Sequence, residues 1–592
     1  HLGNLWRDVN PVKAEKAYRD SLHLRDGLVA DFPTVPAYQQ EQAAALHDLA
    51  FVLQAAGNRD EAEKDYDRSL NIEKRLVADY PTVPDYTYAL AAGYNSRGTL
   101  LHTANRLPDA EAFYGKALAL LEPLAAAHPD VPAFQQELAG TLQNLGVLYQ
   151  TTNRPDEAGK YLTRASDLRR RLADAHPKAP GYEQDLAAAQ LNLGVKWQMN
   201  GRAAEAEACY RDAVGRFAKL ADAYPAVPDY RHLLADACNN FGNLLGATNH
   251  PKEAEEQWRR AAALLEALKD EQPGVPIYRQ ELARGLNELG IFLASAGRVP
   301  EAEKVWGEVL PLQEALAADF PQNPVYREEL AKYEGNLGVL YAQGERLNQA
   351  EESYRRAAGL LEELVKEDPD NPVYWRDLTE PYANLASLLS AADGGRDEAE
   401  KCWRRLAELR GKLADASPKV AGLQSDAGLA LGSLASLLRE GRQWDDARTS
   451  LQEAIRRQRA AVELDPSNAE YRRRLCDHYL ALARTLLELN DHAAAAAAVA
   501  DLAKAAPADW SEQTAAAACL ARCAGLAQKD EKLSAVKREE LARTYGDRAV
   551  ALLRQAIAAG RKDMDALKNG KDFDPLRSRD DFKRLTDGPE KK

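Results

Sequence analysis

The apolar positions of this chain recur with a helical period. In 134–149, Phe134, Leu138, Leu142, Leu145 and Tyr149 follow at steps of four, four, three and four, which lines them along one face of a helix. No segment alternates in the manner of a strand, so the pattern predicts an all-α chain. The helices are interrupted by two kinds of break. One is a proline loop, "FPTVPAYQQE" at 32–41, "YPTVPDYTYA" at 80–89 and "HPDVPAFQQE" at 128–137. Proline lacks the amide N–H that a helix interior needs and disfavours α geometry in the residue before it. The first proline therefore ends one helix, and the second (Pro36) suits the first turn of the next. Asn323, Asn371 and Asn468 stand where later copies want an N-cap. The other break is a turn such as "AGNRDEA" at 56–62, with Gly or Asn ending the helix. Each unit thus reads as an antiparallel pair, helix A after the proline loop and helix B after the turn.

The units keep register. Pro33, Pro81, Pro129, Pro177, Pro225, Pro273, Pro321 and Pro369 are 48 residues apart, and Pro418 and Pro466 continue the series after one extra residue at Gly394-Gly395. Ala62, Ala110, Ala158, Ala206, Ala254, Ala302 and Ala350 keep the same step, usually with an aromatic four residues on. Both helices are expected to run about 19–22 residues, roughly 30 Å. One helix pair cannot cover its own apolar face, and stacked copies bury it against each other.

Leu145-Gly146-x-x-Tyr149 with Ala158 and Ala165, and Leu337-Gly338-x-x-Tyr341 with Ala350, Tyr354 and Ala357, resemble the tetratricopeptide repeat. That family implies a right-handed superhelical solenoid of antiparallel helix pairs with a unit of 34 residues. Here each helix is longer by about seven residues, close to two turns, so its apolar face keeps its direction. The resemblance also implies an inner, concave surface lined by helix A. The positions it assigns there read Asn95 and His102, Gln143 and Gln150, Gln198, Asn239 with Asn243, and Asn287. Beyond residue 290 they turn small: Gly335, Ala342, Ala383, Ser390. Such a band of uncharged amides is the candidate binding site for an extended peptide. It lacks the lysine and arginine ladder that a carboxylate clamp requires. A second series, Asn144, Asn192, Asn240, Asn336 and Asn384, is expected to satisfy backbone groups between repeats. The pairs Arg259-Arg260, Arg355-Arg356 and Arg404-Arg405 are expected to be solvated i,i+4 partners of helix-B acids.

The ends depart from the pattern. Leu2-Gly3 with Trp6 matches Leu145-Gly146 with Tyr149, so the first unit reads as truncated at its N-terminus. The array is expected over 1–509, and 510–592 as an atypical C-terminal repeat with a helical cap. "LARTYGDRAVALLRQAIAAG" at 541–560 and "DFDPLRSRDDFKRL" at 572–585 resemble the C-terminal end of repeat tails on planctomycete-type bacterial Ser/Thr protein kinases. The kinase domain of that family lies upstream of its repeats. The chain itself shows no G-x-G-x-x-G loop, no H-R-D-L-x-x-x-N and no D-F-G.

Composition narrows the function. With 77 basic against 91 acidic residues, a formal net charge of −14 disfavours nucleic acid and anionic membrane as partners. No run of about 20 apolar residues is present, so membrane insertion is not expected. Six cysteines in 592 residues do not make a disulfide framework. Cys519 and Cys523 share a helix face with no further ligand close in sequence, so they read as buried small residues and no metal is expected. No cofactor is expected either. The chain reads as a non-catalytic scaffold for a protein or peptide partner, the repeat region of a larger bacterial protein such as a Ser/Thr kinase. The alternative is a self-associating structural protein that forms fibres or other homo-assemblies. The compartment is cytoplasmic in the first case and extracellular in the second.

Overall fold

The computed structural model describes residues 11–392, 394–505 and 510–587. The match drawn from Leu2, Gly3 and Trp6 lies outside them. Helices dominate and no strand occurs among the described residues. The chain divides into two compact units, His1–Phe292 and Leu293–Lys592.

After Pro11–Asp31, the A helices of the first unit are Pro36–Ala55, Pro84–Thr103, Pro132–Thr151, Pro180–Met199 and Pro228–Ala247, and Pro276–Ser295 begins in it. They alternate with the B helices Arg59–Asp79, Leu107–Ala127, Pro155–Ala175, Ala203–Ala223 and Pro251–Glu271. Every A helix has 20 residues and every B helix 21, so the lengthened repeat comes from longer helices and not longer loops. The second unit continues the alternation from Val299–Asp319 to the shortened His492–Ala505 helix. Two further helices, Trp510–Lys529 and Ala535–Ala558, precede a small cap of Asp565–Asn569, a 3-10 turn Lys571–Leu576 and Asp580–Asp587. Leu567, Phe573, Leu576 and Phe582 are buried there against Leu520, Tyr545 and Leu553. They cover apolar surface of the Trp510–Lys529 and Ala535–Ala558 pair.

The loops follow their sequence chemistry, with one shift. Val35, Val83, Val131 and Val227 hold extended backbone before the N1 prolines. Asn323, Asn371 and Asn468 accept hydrogen bonds from Val325, Val373 and Glu470 N–H. The left-handed residue of the A-to-B turn is Gly57, Asn105, Asn153, Gly201 and Asn249 in the first unit. In "QGER" and "EGRQ", however, it is Glu345 and Arg442. There the glycine sits one residue early and ends the helix in right-handed geometry, at Gly344 and Gly441.

Within a repeat, helix A meets helix B at a small residue facing a large one. A Cβ added to Gly98, Gly194 or Gly338 would come within 2.7 Å of the ring of Tyr114, Tyr210 or Tyr354, and one on Gly242 within 2.8 Å of Trp258. The repeats without this glycine carry alanine, and in the last three of them the partner is smaller. Ala386 faces the register of Cys402, Ala435 that of Leu451 and Ala483 that of Val499, all buried. Close packing favours exchanges that keep the summed volume, although Ala50 stays at the register of Tyr66 and Gly146 packs on Leu162.

Candidate functional site

Neighbouring A helices are joined by side chains one residue more than a period apart. His47 Nε2 lies 2.8 Å from Ser96 Oγ, Asn144 donates to Asn95 at 2.9 Å, and His102 Nε2 lies 3.4 Å from Thr151 Oγ1. Gln136 donates to Asp185, and His232 bonds Glu281 at 2.7 Å, which raises the His232 pKa. In the second unit Arg474 donates to Ser425 at 3.1 Å. Asn95 and His102 of the predicted positions take part in this ladder.

Most of the predicted amides are half-buried, and the structure gives several of them internal work. Asn95 donates to Glu137 at 2.9 Å while accepting from Asn144; burial keeps the Glu137 carboxyl above its ordinary pKa. Gln143 accepts from Arg169, Gln198 from Tyr210 OH at 2.7 Å, and Asn243 from the Trp258 indole at 2.9 Å. Arginine and indole only donate, so the amide oxygens of Gln143 and Asn243 are committed to helix B. Their NH2 groups are what they offer outward. Asn239 rests its Oδ1 against Gly285, where a Cβ would come within 2.7 Å. Gln150 is half-buried, and desolvation holds half-buried His102 below its usual pKa. Asn287 is buried, so it belongs to the packed interior and not to the band.

The second asparagine series does not share one role. Asn144 bonds a side chain of the preceding A helix, Asn240 turns back onto the Asp236 carbonyl of its own helix at 2.9 Å, and Asn192 is exposed. Asn336 and Asn384 line a cavity described below. The arginine pairs also split. Arg259, Arg355 and Arg404 form the expected i,i+4 bridges with Glu255, Glu351 and Glu400. Arg356 and Arg405 instead reach back to the preceding B helix, to Glu314 at 2.5 Å and Glu362 at 2.8 Å. The turn arginines Arg154 and Arg346 do the same with Glu111 and Glu303 while lying over the rings of Tyr149 and Tyr341. Neighbouring helices are close enough for a long side chain to cross, which one helix's periodicity does not reveal.

Two cavities open at the same register of different repeats, each between consecutive A helices and floored by the intervening helix B. One, of about 90 Å³, is lined by Glu328, Lys332, Asn336, Asp377, Glu380 and Asn384 over Leu361. The other, of about 160 Å³, has Ala43, Ala44, Ala89, Ala92, Leu76 and Tyr86 as walls and Glu73 in the floor, with His47 and Asp48 beside it. His47 occupies the register of Asn95 and Gln143, and Glu73 that of Leu361. Sequence reasoning missed both, although the 48-residue ruler that placed the other residues reaches them. Among the described residues no group of three or more His, Cys, Asp or Glu side chains is placed to hold a metal ion. Cys519 and Cys523 are buried free thiols, held above the ordinary thiol pKa by burial.

Three segments, 42–79, 138–178 and 234–272, match the tetratricopeptide repeat. The chain carries tetratricopeptide-type repeats. Each matched segment runs from within a helix A through the following helix B, the stretch that holds the small-facing-large contact. No curated protein matches the chain. Among solved structures it is similar to the apo form of RapI, at 14% identity over 68% of this chain and 98% of that one, with a TM-score of 0.43. It is also similar to the apo quorum sensor NprR from B. thuringiensis, at 15% identity over 67% and 98%, TM-score 0.38. BtubC from P. vanneervenii aligns at 19% identity over 44% and 93%, TM-score 0.35. No described helix is long and apolar enough to cross a membrane.

Proposed function

We propose that this chain is a non-catalytic protein-interaction scaffold that holds an extended segment of a partner protein across successive A helices of its first unit. The observation that supports the reading is the half-buried amide band. Asn95, Gln143, Gln150, Gln198 and Asn239 step from repeat to repeat on one face, and Gln143 and Asn243 have their oxygens engaged and their NH2 groups left for a ligand. Amide N–H groups recognise backbone carbonyls without demanding charge. The proposed setting is the repeat region of a larger bacterial protein, a Ser/Thr protein kinase, which rests on the likeness of 541–560 and 572–585 to the ends of kinase repeat tails. The upstream reading frame tests that setting.

The scaffold reading is tested by replacing Gln143, Gln150, Gln198 and Asn239 with alanine and measuring binding of the partner recovered with the full chain. Affinity should fall in the variant and should depend only weakly on salt, because screening acts on charged contacts. Unchanged affinity, or binding that maps beyond residue 300, overturns it. If the recovered partner is the chain itself, light scattering that shows assembly with protein concentration establishes the self-associating alternative in its place.

A further inference from the structure

The repeats supply an internal control for every position, and Glu73 fails it. Its equivalents 48, 192 and 288 residues on are Leu121, Leu265 and Leu361, all buried. The scaffold therefore accepts leucine there and does not require a carboxylate. Where the position is glutamine, the side chain is tied to the next A helix. Gln313 donates to the Tyr326 carbonyl at 2.9 Å and Gln458 to the Tyr471 carbonyl at 3.0 Å. An ionised carboxylate has no proton to give the corresponding carbonyl. Glu73 is 4% exposed. Its Oε1 accepts from Ser69 Oγ at 3.1 Å, and its Oε2 is buried without a hydrogen-bond partner. That oxygen lies against Gly93, where a Cβ would come within 2.6 Å, so any larger residue would displace it.

An unpaired buried carboxylate is costly unless something of opposite charge reaches it. The cavity above Glu73 has the shape for such a visitor. No lysine or arginine lines it, its walls are four alanines with Leu76 and Tyr86, and its mouth lies at exposed Ala44 and half-buried Gln40. Its volume of about 160 Å³ is close to that of an apolar cavity known to admit benzene, about 150 Å³. A short alkyl chain fits such walls, and an ammonium at its end would meet Glu73 below and Asp48 beside it.

We propose that this cavity is a binding site for a primary alkylammonium group, presented by a lysine side chain of an extended partner segment. It deepens the reading of the A-helix face as a peptide surface and rests on that reading for the source of the lysine. The four methylenes pack on Ala43, Ala44, Ala89 and Ala92, and the ammonium donates to Glu73 Oε2. Lysine fits where arginine does not, because the ammonium is a compact point charge and the guanidinium a broad planar fork.

Alanine-methyl NMR of the full chain tests the site with n-butylammonium as probe and n-butanol as its uncharged match. Butylammonium should shift the methyls of Ala43, Ala44, Ala89 and Ala92 saturably, with n-butanol at least tenfold weaker. Glu73→Gln, which restores the bond seen at Gln313, should fold normally and lower butylammonium affinity at least tenfold. An absent shift, equal binding of the alcohol, or undiminished binding to the variant overturns the site. In a second arm, an extended peptide with one central lysine should displace butylammonium at least tenfold more effectively than its arginine counterpart. If the two displace it equally or not at all, the lysine assignment falls. This arm is independent of Gln143, Gln150, Gln198 and Asn239, so loss of the amide-band reading and loss of this site are read separately.

Discussion

Two contacts recur along the chain, and they follow different rules. Inside a repeat, helix A meets helix B through a small residue against a large one: Gly242 with Trp258 and Gly338 with Tyr354, where others place Ala435 at the register of Leu451. The buried side chains there differ mainly in size. Between repeats, the floor position carries Glu73, Leu121, Arg169, Phe217 and Leu265 in the first unit, and Gln313, Leu361, Arg410 and Gln458 in the second. There the chemistry itself is exchanged. The first contact is sealed from water, so every atom must have a packing partner and volume decides. The second borders an outward-opening cavity at Glu73 and at Leu361, and its glutamines reach a carbonyl of the next A helix, so a polar group can be accommodated there. Stability is held by the first contact and adaptability by the second.

The largest expected effect comes from emptying the sealed contact. Trp258→Ala removes a buried indole that packs on Gly242, bonds Asn243 and lies 5.4 Å from the Phe292 ring. It should cost about 3–5 kcal/mol. Gly242→Leu, which overfills the same contact, should cost about 1–3 kcal/mol. Urea denaturation followed by circular dichroism checks both. If neither moves the unfolding of the first unit, size complementarity does not govern this contact.

A groove residue with buried charge should behave in the opposite sense. Burial pushes the Glu73 carboxyl up to about 7 from an ordinary 4.5. The folded chain therefore holds this proton more tightly than the unfolded chain does. Stability is undiminished below about pH 4.5, falls as pH rises through 7, and is flat above that, with a total loss of roughly 3 kcal/mol. Glu73→Leu copies Leu121 and should remove that loss, so the variant gains on the parent at pH 8 and matches it more closely at pH 5. Paired denaturation curves at the two pH values decide the matter, and an equal difference at both would place the effect in packing instead.

The smallest effect is expected on the ladder between A helices. Asn144→Ala breaks one neutral bond to Asn95 at a half-buried site and should cost on the order of 0.5–1.5 kcal/mol. Hydrogen exchange of the Pro84–Thr103 and Pro132–Thr151 helices would show it as faster local opening. A cost as large as that of Trp258→Ala would mean that the groove, too, is under packing control.

The sequence by itself determined the architecture: helix pairs, the 48-residue unit, helices near 30 Å, the proline N1 positions and the asparagine caps at 323, 371 and 468. These depend on the chain's own neighbours a few residues away, on proline's missing N–H and on a repeated apolar stripe, and each recurs often enough to outweigh local exceptions. The turns were legible from Gly or Asn at the end of helix A, as at Gly344, whereas which residue turns left-handed, Gly57 in one turn and Glu345 in another, was not. The candidate band of amides was placed from the family's register. Only the tertiary structure decided what those amides do. It turned Gln143 to Arg169, Gln198 to Tyr210 and Asn243 to Trp258, buried Asn287, sent Arg356 and Arg405 back to the preceding helix, and left Glu73 Oε2 without a partner. The bonds among these outcomes each reach a side chain 12 to 43 residues away, brought near by stacking. A helical period records which face a residue occupies and carries no information on what stands opposite it.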